Sequence, residues 1–121
     1  MKLKLSSIAD KGNFEKERVV IRVVDNTNVG EFALFRTGVN DDGGLNIGVE
    51  NTYWFPDKEV RAGDLVVLYS KGGSFSEKSL ESGNKAHFYY WGLGKELWNS
   101  GRVAPVLLHA PTWETLNKPT N

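Results

Sequence analysis

Phe88-Tyr-Tyr-Trp-Gly-Leu-Gly-Lys-Glu-Leu-Trp-Asn-Ser-Gly-Arg-Val-Ala-Pro-Val-Leu-Leu-His109 is the stretch from which the fold is read. Four consecutive aromatics, Phe88 to Trp91, need a core to receive some of them. Gly92 and Gly94 break the run where a sharp bend needs a residue tolerant of positive φ. Leu97 and Trp98 return the chain to apolar cover, and Asn99-Ser100-Gly101 is a turn signal. Val103 to Leu108 is rich in strand formers again. The stretch therefore reads as strand, tucked loop, turn, strand, with Leu93, Leu97 and Trp98 pinning the loop.

Working outward, other short strands follow at spacings of about ten residues, which is the pattern of an all-β sandwich. Leu3, Leu5 and Ile8 mark a first strand with Lys2 and Lys4 facing water, and Asp10 to Asn13 is a turn. Val19 to Val24 is nearly continuous in β-branched residues, as for a strand in the core. Asn26-Thr27-Asn28 turns it back into a partner strand, Val29 to Thr37. Gly38 to Gly48 is a polar excursion in which Asp42-Gly43 favours a small hairpin. Glu50 to Phe55 is strand, stopped by Pro56, and Leu65 to Ser70 is the second strongly apolar one. Lys71 to Lys85 shows no apolar period and reads as a loop, with a single helical turn over Glu77 to Ser82 as its one local structure. His87 to Trp91 and Arg102 to His109 are the last main strands, Trp113 to Leu116 is a short closing piece, and 117–121 is a frayed tail.

At 121 residues the chain is expected to be one domain, 1–121, and 40% hydrophobic residues suffice for its core. Fifteen basic and 15 acidic side chains cancel, so the bulk charge demands no polyanionic or polycationic partner. The absence of cysteine removes disulfides, thiolate metal sites and cysteine nucleophiles. Ser6, Ser7, Asp10 and Lys11 interrupt any apolar run after Met1, so neither a signal peptide nor a membrane span is read, and the expected location is the cytoplasm or a virion.

Little in the sequence carries catalysis. His87 and His109 each lie beside a strand, where a histidine is more often a satisfied structural group than a catalyst; a deep pocket joining either to carboxylates would support the enzymatic reading. Neither a Gly-x-Ser-x-Gly elbow nor a phosphate-cradling loop is present. Asn40-Asp41-Asp42-Gly43-Gly44 offers oxygen ligands but lacks the alternation and terminal Glu of a calcium loop, so it reads as a turn and no metal or cofactor is expected. The aromatics are more numerous than one small core needs. If Tyr89 and Trp91 point inward, Phe88 and Tyr90 point outward. Trp54, Phe88, Tyr90 and Trp98 are accordingly the candidate interface residues, against the plainer reading that the loop from Gly92 to Gly101 covers them.

Three segments carry a family resemblance. Trp91-Gly92-Leu93-Gly94 with Leu97-Trp98-Asn99-Ser100-Gly101 and its following strand resembles the C-terminal signature of lamin-tail domains. Asn51-Thr52-Tyr53-Trp54-Phe55-Pro56, followed by Ala62-Gly63-Asp64-Leu65, is similar to that family's aromatic, Phe-Pro and Gly-strand segment. Val19 to Phe35 matches more loosely. The resemblance covers roughly Lys16 to Leu116. Two positions depart from it: Ala33-Leu34-Phe35 stands where the family has Gly-Trp, and Arg102 where it has Asp.

The resemblance implies an immunoglobulin-like two-sheet β-sandwich. Together with the surplus aromatics and the lack of a catalytic set it points to a non-enzymatic binding or assembly module acting through a protein partner or self-association, and a small cysteine-free sandwich suits a phage or virion accessory or an adaptor. The alternative is nucleic-acid binding through the basic N-terminal strand, with Lys2, Lys4, Lys16 and Arg18 on one face; the zero net charge weighs against it.

Overall fold

The computed structural model describes residues 1–117, so 118–121 of the tail expected over 117–121 lie outside the described residues. Ten strands form: β1 (Leu3–Ala9), β2 (Arg18–Val23), β3 (Thr27–Asn28), β4 (Phe32–Val39), β5 (Leu45–Trp54), β6 (Glu59–Val60), β7 (Leu65–Tyr69), β8 (Ser76–Ser79), β9 (Lys85–Tyr90) and β10 (Val103–His109). They make a five-stranded sheet in the order β1-β2-β7-β9-β8, a three-stranded sheet β10-β4-β5, and the small pair β3-β6. All neighbours are antiparallel except β7 and β9. The chain is thus all-β, and the described residues include no α-helix and no helix able to cross a membrane.

The apolar pattern explains the layering. In β2, Val19, Ile21 and Val23 are buried, while Arg18, Val20 and Arg22 alternate to the other face. In β1 the register shifts between Leu5 and Ser7, a bulge that re-aims the strand so that Leu3, Leu5 and then Ile8 all turn toward the core. Phe32, Leu34 and Leu107 from the three-stranded sheet join Val66, Leu68 and Tyr89 from the five-stranded one in a single core. Each such buried side chain is worth about 1.5–3 kcal/mol. Edge-on contacts link Tyr53 to Phe55 (5.0 Å) and Phe55 to Tyr89 (5.2 Å), and Tyr53 to Trp91 (5.9 Å), so much of the aromatic surplus is spent inside.

Four expectations are corrected. Val29 to Thr37 does not pair with the strand before it. Val29–Glu31 is a 3-10 turn, capped by the Asn28 side chain, and β4 then enters the other sheet between β10 and β5. The β4–β5 hairpin is longer than expected, because β5 begins at Leu45 rather than Glu50. Within the segment read as a loop, Ser76–Ser79 is an edge strand, not a helical turn. All four of its side chains are exposed, so backbone pairing to β9 holds it and no apolar period marks it. Finally, Trp113 to Leu116 forms no strand, and Trp113 instead packs edge-on against Trp54 at 4.8 Å.

A buried carboxylate ties the tucked loop to the rest. Glu17, fully buried, accepts hydrogen bonds from the backbone N–H groups of Gly12 (3.0 Å), Leu97 (2.8 Å) and Trp98 (3.1 Å) and from the Ser70 hydroxyl. Burial by itself would raise its pKa, but these four donors together hold it below the usual carboxylate value. From the other sheet, Arg36 Nε donates to the Leu97 carbonyl (2.8 Å).

Glu17→Gln leaves an amide N–H facing backbone N–H donors and should lower unfolding stability by about 3 kcal/mol in urea titration. Because the folded carboxyl is the stronger acid, its contribution is fully present above the unfolded value of 4.5 and is lost progressively as pH falls from there through the lower folded value. The variant should therefore show a flatter stability–pH curve on the acid side than the parent protein.

Candidate binding surfaces

The outward positions of the five-stranded sheet line up in three rows set by strand register. Lys4, Arg22, Leu65, Ala86 and Lys78 lie side by side. The next row holds Val20, Val67, Phe88 and Ser76, and the third Ala9, Arg18, Tyr69 and Tyr90. None of these positions is acidic, four are cationic and three are aromatic. Tyr69 and Tyr90 stack at 5.2 Å with planes 12° apart. The Tyr90 ring lies so close over Gly73 that a Cβ there would fall 2.6 Å from it, so a glycine is required. The Arg18 guanidinium and the Lys71 ammonium sit 5.9 and 5.3 Å from the centre of the Tyr69 ring. At the rim, Arg18 is paired with Asp10 (2.6 Å) and Lys71 more loosely with Glu15 (3.8 Å).

The structure thus brings together residues that the sequence placed on two separate lists. Phe88 and Tyr90 from the interface list share this face with Lys4 and Arg18 from the basic list. Lys2 precedes β1, and Lys16 lies in the turn before β2. Trp98 is in the core at 2% exposure and offers no surface, because the loop around it folds inward onto Glu17. Trp54 is exposed on the other sheet, with its indole N–H donating to the Gly30 carbonyl (3.0 Å). It lines a shallow apolar cavity of about 230 Å³ with Phe32, Ala33, Ala110 and Trp113. Arg22 and Lys78 were missed as surface partners. The Arg18-Val20-Arg22 alternation was there to be read, whereas Lys78 was hidden in the segment taken for a loop.

A second site is polar. A cavity of about 570 Å³ is lined by Lys58, Arg61, Asp64, Glu77, Asn84 and His87, among others. His87, 2% exposed, places Nε2 2.9 Å from the Asp64 carboxylate, and its other ring nitrogen is buried 3.8 Å from Glu77. Asp64 also accepts from the backbone N–H groups of Arg61 and Lys85 and from the Asn84 amide. Burial opposes ionisation of Asp64, but His87 and these donors pull its pKa far below the usual value. Glu77 is in turn held by Lys58 (2.6 Å) and Lys85 (3.4 Å). Pocket, histidine and carboxylates are therefore together, yet the ring is enclosed and the acids are committed to neighbours. The network fastens the β6–β7 turn to β9.

His109 stacks on Phe32 (4.4 Å) and lies 3.0 Å from Glu31. In the Asn40 to Gly44 turn, Asp42 accepts from Gly44 N–H (2.8 Å) and Asp41 pairs with Arg102 (2.7 Å). Among the described residues no three His, Cys, Asp or Glu side chains converge on a point that could hold a metal. No known protein-family model matches this chain, and a search of curated proteins finds no match.

Asp64→Ala should lower stability by about 3 kcal/mol, since it strands several buried donors together with His87. Chemical denaturation measures the loss, and hydrogen exchange of the β9 amides should accelerate with it.

Proposed function

We propose that the chain is a non-enzymatic binding and assembly module of the lamin-tail type, an immunoglobulin-like two-sheet sandwich that works through protein–protein contacts. An accessory component of a phage or virion, or an adaptor subunit, fits such a part. The observation that carries the reading is the outer face of the five-stranded sheet. Tyr69, Phe88 and Tyr90 supply rigid, partly exposed aromatic area, and Lys4, Arg18, Arg22 and Lys78 border it with one sign of charge. Aromatic centres with charged surrounds are how protein interfaces combine affinity with orientation. The partner expected from this chemistry is an acidic polypeptide surface. The enclosed His87, with both neighbouring carboxylates engaged, supports binding rather than catalysis.

The same face favours a second reading, a single-stranded nucleic acid, because bases stack on exposed aromatics while cations follow the phosphates. Fluorescence anisotropy with a labelled oligo-glutamate and a labelled oligo-dT separates the two. The leading reading expects the glutamate probe to bind more tightly, and the double variant Lys4→Glu, Arg22→Glu to weaken it roughly tenfold. Tighter binding of oligo-dT, falling steeply with salt, would transfer the face to nucleic acid. If neither probe binds, both readings fall.

A further inference from the structure

Two tryptophans meet in the open on the outer side of the three-stranded sheet. Trp54 and Trp113 remain 53% and 60% exposed although they touch edge-on, with ring centres 4.8 Å apart and planes at 89°. A perpendicular pair of this kind leaves an inside corner walled by two indole faces. Single exposed apolar residues are ordinary, whereas a contiguous group of them marks a place where something binds.

Distant pieces of the chain build the corner. Ala33 is opposite Trp54 on one side and Leu108 on the other, so a small residue between two large ones leaves a low floor. The Phe32 ring behind it is buttressed by His109 at 4.4 Å. After β10 the Ala110 N–H donates to the Glu31 carbonyl (2.8 Å), and Pro111 follows with its fixed φ, which directs the chain toward Trp54 and delivers Trp113. The resulting cavity of about 230 Å³ is lined by Glu31 and Thr52 besides Phe32, Ala33, Ala110 and the two tryptophans. Sites for drug-sized molecules enclose roughly 300–1,000 Å³, so this one has room for a single head group.

The lining decides what kind of head group. The Trp54 indole N–H is spent on the Gly30 carbonyl (3.0 Å), which leaves its ring but not its donor for a ligand. Thr52 supplies the one side-chain hydroxyl of the lining and Glu31 its one charge. One Glu31 oxygen lies 3.0 Å from His109, and the other makes no hydrogen bond among the described residues. A sugar or a base needs more hydrogen-bond partners than these. A cation without N–H groups needs none, because indole faces attract it through their quadrupole and a carboxylate at the rim balances its charge. We propose that the Trp54–Trp113 corner binds a quaternary ammonium group, carried by a choline-like small molecule or by a trimethylated lysine side chain. The site lies on the sheet opposite the aromatic and basic face, so the fate of the docking reading leaves it untouched.

The indole N–H signals in a nitrogen–proton NMR spectrum read the corner directly. Choline titrated into the full chain should shift the signals of Trp54 and Trp113 and leave that of the buried Trp98 in place. Dimethylbutanol, the neutral isostere in which carbon replaces the ammonium nitrogen, should bind roughly fivefold more weakly or worse. Trp113→Ala should weaken choline binding about tenfold, and since Trp113 lies outside every strand the remaining spectrum should keep its dispersion. Glu31→Gln should weaken choline and leave the neutral alcohol unchanged. A short peptide carrying trimethyl-lysine, run beside its unmethylated form, separates the two sources: tighter binding than choline, lost without the methyl groups, assigns the corner to a modified polypeptide, and the reverse order assigns it to a free small molecule. Equal affinity for choline and dimethylbutanol would overturn the proposal. So would unchanged binding by Trp113→Ala, or indole signals that neither choline nor the methylated peptide moves.

Discussion

One carboxylate sits where three distant parts of the chain meet. Glu17 closes the turn between β1 and β2, and its oxygens collect donors from Gly12, from Ser70 at the end of β7, and from Leu97 and Trp98 in the loop before β10. A charge taken out of water costs several kcal/mol unless its lone pairs are satisfied. Here each oxygen has two donors, so the arrangement holds only when all three segments are in place. Leu97 is gripped from both layers: its N–H goes to Glu17 beside the five-stranded sheet, and its carbonyl goes to Arg36 of the three-stranded one. That double hold seats Leu97 and Trp98 as a plug in the core and carries the chain across to β10.

The surface follows from this packing. Once the loop buries Trp98 and part of Trp91, and the core takes Tyr89, the rings of Tyr69, Phe88 and Tyr90 are left on the outside, aligned by register with the cations of β1, β2 and β8. The parallel pairing of β7 and β9 matters here. It sets Tyr69 beside Tyr90 and Val67 beside Phe88, giving a continuous apolar stripe instead of isolated rings. The charges that sum to zero over the chain are thus segregated in space. The outer face of one sheet is basic, and the acidic residues serve as internal clamps (Glu17, Asp64), as partners of lysines (Glu77), or at rims and turns.

Two glycines with positive φ allow close approach beside the buried carboxylates. Gly12 approaches the Asn99 side chain so closely that an added Cβ would sit 2.7 Å from it, and Gly63 stands in the same relation to Asn84. Both flank the buried carboxylates, Gly12 donating to Glu17 itself and Gly63 preceding Asp64. Close backbone approach there lets N–H groups converge on an anion without side chains in the way.

Local chemistry alone was enough to mark β2, β7, β9 and β10, which are rich in β-branched or aromatic residues, and β1, where Leu3 and Leu5 alternate with Lys2 and Lys4. Alternation along a strand, a property of the backbone, also set Tyr89 and Tyr90 on opposite faces, while the packing decided that Tyr89 is the one inside. Strand partners were beyond its reach: the Asn26 to Asn28 turn looks like a hairpin, yet β4 pairs with β10, some seventy residues on, for which no neighbouring residue supplies a signal. β8 was invisible for a related reason, as an edge strand stabilised through its backbone needs no apolar alternation. Glu17, an ordinary charged residue in the sequence, becomes the centre of the molecule only through donors as many as 81 positions away. The binding face has the same origin, since Lys4, Arg22 and Phe88 belong to one surface only after β7 has been laid between β2 and β9. Residue type and alternation thus marked the strands that carry apolar residues and set successive side chains of each on opposite faces. Pairing between distant segments decided what those sides add up to, because hydrogen-bond ladders and buried charges draw their partners from across the whole chain.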